Sequence, residues 1–135
     1  MPELKDLRGD LQYSAAIPPT AAGTAIEVPV VKLPFDALIT EVLWIPGAAM
    51  TANGTNFCTL NFRNRQSAAG TIVPAGPRSW ASGNSVSTTP ETLTLSSTAT
   101  DLQAASGDLL TAHFTHTASG LAIPAGLVQV KVRRR

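Results

Sequence analysis

Two stretches near the end of the chain decide its fold: Asp108-Leu109-Leu110-Thr111-Ala112-His113-Phe114-Thr115-His116-Thr117 and Leu127-Val128-Gln129-Val130-Lys131-Val132-Arg133. In the first, Leu110, Ala112 and Phe114 share one parity, while Leu109, Thr111, His113 and Thr115 take the other. In the second, Val128, Val130 and Val132 face one way and Gln129, Lys131 and Arg133 the other. Side chains alternate across a strand with a period of two, so each stretch reads as a strand with one buried face. Ala125-Gly126 supplies the turn chemistry before the second.

The same alternation recurs upstream. In Phe57 to Arg63, Cys58, Leu60 and Phe62 oppose Phe57, Thr59, Asn61 and Arg63. Thr24 to Lys32 sets Ile26, Val28 and Val30 against Ala25, Glu27, Pro29 and Val31. Pro29 cannot donate to a ladder, which predicts an edge strand or a bulge there. Phe35 to Ile45 is almost continuously apolar and reads as a strand covered on both faces. Gly70 to Val73 and Glu91 to Ser96 read as shorter strands, with Pro74 to Pro90 as a long connection. Helix signals are nearly absent, because ten prolines and ten glycines are spread along the chain. The one candidate helix is Glu3 to Leu11, where Leu4, Leu7 and Leu11 fall at helical spacing behind Pro2.

Many short strands separated by turns mean an all-β chain, a β-sandwich or barrel rather than βαβ units. Long connections favour Greek-key crossings, so a jelly-roll-like sandwich is the first expectation. An immunoglobulin-like sandwich is the second; its disulfide is impossible with Cys58 alone. Ser14 to Gly23 contains Pro18-Pro19, which forces an extended path. Residues 1–23 are therefore expected to form an extended N-terminal arm and residues 24–135 the sandwich domain.

Charge is the next constraint. Charged residues make up 14% of the chain, against about 25% in an ordinary soluble domain. Between Val42 and Pro90 there is no acidic residue, and only Arg63, Arg65 and Arg78 are basic. The exterior must then be built from Thr, Ser, Asn, Gln and Ala, with little charge to keep copies apart. Such a surface suits a protein packed against copies of itself or a partner. A net charge of +1 argues against bulk nucleic-acid binding. The charged start of the chain is not a signal peptide and no stretch reads as a membrane-spanning helix, so synthesis and solubility in a cytoplasm are expected.

Catalytic signals are thin, and the chain reads as no enzyme. His113 and His116 stand three apart, which on a strand places them on opposite faces and not around one metal. No Gly-x-Ser-x-Gly elbow, phosphate loop or carboxylate pair occurs, and Cys58 between Phe57 and Thr59 reads as a small buried hydrophobe. No cofactor is implied. Arg8-Gly9-Asp10 matches an adhesion tripeptide only at the level of chance, and Asn53-Gly54-Thr55 is explained by its turn.

Candidate contact residues remain. The arm offers Leu4, Leu7, Leu11, Tyr13, Ile17 and Pro18. Arg63 and Arg65 share a face if their strand continues, and Arg133, Arg134 and Arg135 form a run that is either a solvated end or a dock for an acidic protein surface. Trp80, in a Pro/Gly-rich loop, is either a cap on the core or an exposed anchor.

The run Asp101 to Thr117, with its Gly107-Asp108 before a strand, is followed by Leu121-Ala122-Ile123-Pro124-Ala125-Gly126 and a final strand. This ending resembles the closing strands of small β-sandwich proteins of tailed double-stranded DNA bacteriophages. The whole chain looks like a capsid decoration (cement) protein of jelly-roll type. The resemblance implies an arm ahead of a jelly-roll-like domain, a homotrimer on the capsid exterior, and the major capsid protein as partner. It implies no nucleic-acid or membrane partner and carries over no individual binding residue. The other reading is a tail, fibre or carbohydrate-binding module that would use Trp80 and Trp44 or loop residues as stacking platforms.

Overall fold

The computed structural model describes residues 9–67 and 69–135. The described residues form β1 (Asp10–Ile17), β2 (Ile26–Lys32), β3 (Ala37–Pro46), β4 (Phe57–Asn64), β5 (Ile72–Ser79), β6 (Glu91–Thr92), β7 (Gln103–Ala104), β8 (Leu109–Thr117) and β9 (Gly126–Arg134), with one 3-10 turn at Ala99–Leu102. One sheet runs β1-β9-β3, with β6 and β7 paired to the far side of β3; the other runs β2-β8-β4-β5. Every pairing is antiparallel. With β6 and β7 counted as one position beside β3, successive strands alternate between the sheets except at the β4–β5 hairpin, which is jelly-roll connectivity.

The inward parity of each strand supplies the core. Ala37, Ile39, Val42 and Trp44 of β3 and Val128, Val130 and Val132 of β9 meet Leu60 and Phe62 of β4 and Leu110, Ala112 and Phe114 of β8, all buried. Trp44 stands edge-on to Phe114, with ring centres 5.3 Å apart, and to Trp80 at 6.4 Å. Such T-shaped contacts set the positive ring edge of one aromatic against the negative face of another. The parities expected for β4, β8 and β9 are the observed ones.

Four expectations are corrected. Leu11, expected at the end of a helix, lies in β1, and the remainder of that candidate helix, with Leu4 and Leu7, falls outside the described residues. Residues 10–17 do not reach away from the domain; they lie along β9 in unbroken register from Asp10↔Arg133 to Ile17↔Gly126. The physical reason is a second periodicity in the same residues. Leu11, Tyr13, Ala15 and Ile17 alternate with Asp10, Gln12, Ser14 and Ala16, so one face can be buried.

Third, β5 continues through Pro74 and Pro77 instead of stopping at Val73. As an edge strand it needs no donor on its outer side, and its register with β4 shifts twice where the prolines fall. Fourth, β3 is buried on one face only; Leu38, Leu43 and Ile45 on the other are half-buried. Pro29 behaves as its chemistry requires: β2 is an edge strand and its register shifts between Pro29 and Val31.

The segment after β6 joins the two sheets. Leu93 N–H donates to Val42 O on β3, while Gly76 N–H donates to Thr94 O and Ser96 N–H to Pro74 O on β5. One side of the sandwich is thereby closed by main-chain hydrogen bonds, with Leu93 buried beneath them.

Candidate functional site

The outer face of the second sheet carries the densest group of ionisable side chains. Register places Glu27 beside His113, His113 beside Asn61, and Thr111 beside Arg63. Antiparallel neighbours of this kind point to the same face of the sheet, so residues distant in the chain converge. Glu27 is the hub. Its Oε2 lies 3.1 Å from Arg63 Nη1 and its Oε1 lies 3.2 Å from Arg65 Nε. Thr111 Oγ1 donates to Oε1 at 3.1 Å. Arg65 also donates through Nη1 to Gly70 O at 3.1 Å, which ties the group to the loop after β4.

Arg63 Nη1 lies 2.9 Å from His113 Nδ1. A guanidinium has no acceptor, so Nδ1 must be the acceptor and the ring proton sits on Nε2. That nitrogen faces Glu27 Oε2 at 3.8 Å. Burial, and then the Arg63 charge, lower the His113 pKa below its ordinary value; Glu27 opposes this and Arg65 adds to it. The group therefore holds two guanidinium charges against one carboxylate and a neutral imidazole. Its two forked donors have the geometry to meet carboxylate or other oxyanion groups, on a sheet face that also shows Thr115, Thr59, Ser79 and Asn61.

A second polar group lies inside the domain's loops. Arg78 Nε donates to Glu91 Oε1 at 2.7 Å, and its guanidinium stacks over Trp80 at 4.5 Å. Ser85 accepts from Trp80 Nε1 at 2.8 Å and donates to Glu91 Oε2. Arg78 also reaches Ser79 O, Ser82 O and Gly83 O. These bonds staple the Trp80–Glu91 connection to the core. Trp80 is fully buried, so of its two readings the core cap is the observed one and a contact role is corrected.

The other candidate contacts are dispersed. Leu11 and Tyr13 are half-buried, Ile17 is buried and Pro18 is exposed. Arg63 and Arg65 are brought together, with Glu27 between them. The terminal arginines are occupied by their own domain. Arg133 pairs with Asp10 at 3.3 Å, Arg134 lies over the Phe35 ring, and Arg135 donates to Gln103 Oε1 and Ala104 O. The site residues that sequence reasoning missed are Glu27 and Thr111. No spacing marks them, because Thr111 and Glu27 are 84 residues apart in the chain.

Cys58 is 1% exposed, and burial pushes its thiol up to about 11. Among the described residues no group of three His, Cys, Asp or Glu side chains is placed to hold a metal ion. No family model matches the chain, and neither a curated protein nor a solved structure does.

Proposed function

We propose that this chain is a structural protein of a phage virion, a decoration or cement protein that covers the outside of the capsid lattice and stabilises it. One observation carries the reading: each outer face of the sandwich carries uncharged rows beside its few charged groups. On the first sheet Ala16, Leu127 and Ile45 lie in one row, and Ser14, Gln129, Leu43 and Thr92 in the next. The second sheet adds Thr115, Thr59 and Ser79. Among the charges that interrupt these faces, Lys131 pairs with Glu41, and Arg63 and Arg65 share Glu27. Faces of this kind suit coverage by neighbouring protein.

The mechanism is linkage. A protein that binds the assembled lattice and not its loose subunits shifts the equilibrium toward the assembled state. Arg63 and Arg65 share the single Glu27 carboxylate, and the positive charge left over is the polar feature suited to meeting carboxylates of the major capsid protein. The competing sugar-binding reading keeps only loop residues as platforms, because the indoles of Trp44 and Trp80 are both fully buried. Purified protein added to undecorated heads is expected to saturate a fixed number of sites and to raise their melting temperature. Absence of binding overturns the reading.

A further inference from the structure

The two sides of the sandwich are finished differently. At the β3/β5 side, the 91–96 segment bonds to both sheets. At the opposite side β1 lies over β2, and among the described residues no main-chain hydrogen bond joins them. The core reaches the surface there: Leu11 and Tyr13 of β1 and Ile26, Val28 and Val30 of β2 pack on it while remaining partly exposed.

The strand edges on that side also differ. β2 is guarded by Pro29, by a register shift and by Glu27 and Lys32. β1 has none of these devices. It runs eight residues without proline or bulge, its single charge is Asp10 at its start, and among the described residues its main-chain bonds run only to β9. A long, regular, nearly uncharged edge is a template for another strand.

We propose that β1 pairs antiparallel with β1 of a second copy, about a two-fold axis through Ser14, joining the first sheets of two domains into one. The occupant is argued from the strand's own complementarity. A two-fold perpendicular to the sheet keeps the two outer faces together, so residues of like parity must oppose one another. With Ser14 at the axis, Leu11 meets Ile17, Tyr13 meets Ala15, Gln12 meets Ala16, and Asp10 falls opposite Pro18. All four inward side chains find apolar partners and no two charges meet. The neighbouring register, centred on Tyr13, sets two phenol rings against each other and leaves Ile17 opposite Gly9. Pairing in twos is a different assembly from the trimer that the resemblance implies, and it stands or falls apart from the virion reading.

The test is sedimentation of the full chain and of two variants. Ser14 is an exposed side chain on the outer face, so substitution there spares the core. The wild-type chain is expected to sediment as a dimer, and Ser14→Lys, which sets two ammonium groups together at the axis, as a monomer with unchanged circular dichroism. Opposed residues of an antiparallel pair have Cα atoms about 4.5–5.5 Å apart, within the span of a disulfide. Ser14→Cys is therefore expected to give a covalent dimer on mild oxidation, which buried Cys58 does not. A wild-type monomer or trimer, a Ser14→Lys dimer, or failure of Ser14→Cys to cross-link each overturns the proposal.

Discussion

Gly126 lies flat against the indole of Trp44. A methyl group on its Cα would stand 2.7 Å from Trp44 Cζ3 and 2.7 Å from Ile45 O. Trp44 is fully buried and held edge-on by Trp80 and Phe114, so the ring has nowhere to retreat. The first residue of β9 is thus fixed as glycine by a side chain on β3. Gly126→Ala is expected to destabilise the domain by about 1–3 kcal/mol through overpacking. Urea denaturation measures this as a lower midpoint; a midpoint equal to wild type contradicts the steric account.

Glu27→Gln tests the hub of the arginine cluster. The substitution keeps the shape and removes the charge that Arg63 and Arg65 share, in a setting where Arg63 is only 15% exposed. Losing charge-assisted hydrogen bonds in this partly buried position is expected to cost about 1–2 kcal/mol. The same variant should lower the His113 pKa further, since Glu27 is the one charge that raises it. A proton NMR titration of the His113 ring reads this directly, and a rise would contradict the electrostatic assignment.

His113 makes stability depend on pH in one direction. Its pKa in the folded domain lies below the ordinary 6.5. Between those two values the unfolded chain binds a proton that the folded domain refuses, so the slope of stability against pH is positive. The contribution is complete above pH 6.5 and is lost as the pH falls from there through the lowered folded value. His113→Gln retains an acceptor for Arg63 and cannot titrate. Its melting temperature should fall less steeply than wild type between neutral and mildly acidic pH. Parallel curves would remove His113 from the account.

Cys58 should be silent to thiol reagents. Its Sγ is buried and its pKa stands at about 11, so almost no thiolate exists near neutrality. Modification by an aromatic disulfide reagent is expected only at the rate of unfolding, and to accelerate with denaturant. Fast labelling of the native protein would show that the β4 layer opens locally.

Much of this architecture was legible because burial on one face leaves a period of two in the sequence. Leu110, Ala112 and Phe114 in β8 and Val128, Val130 and Val132 in β9 carry that signal without interruption. Leu11 shows how the signal is lost. It satisfies a helical spacing with Leu4 and Leu7 and a strand spacing with Tyr13 and Ala15, and only tertiary pairing with β9 decides between them. Pro74 and Pro77 obscured β5 because an edge strand tolerates what an inner strand does not. The Arg63 and Arg65 pair could be read locally, whereas Glu27 and Thr111 join them only through register, which alternation alone does not fix. Trp80 took its place in the core because the bonds of Arg78 and Ser85 fold its loop inward.

The strand order also has a consequence for biosynthesis. The middle strand pairs of the two sheets are completed by β8 and β9, the last strands in the described chain, and β9 separates β1 from β3. While a ribosome still holds those segments, β1 and β3 have no hydrogen-bonding neighbour between them and β2 none from β4. The nascent protein must therefore carry its apolar surfaces unassembled until β8 and β9 have emerged. Its folding is expected to wait for the synthesis of β9, to be slow in the manner of distant pairings, and to depend on chaperones that shield such surfaces in the meantime.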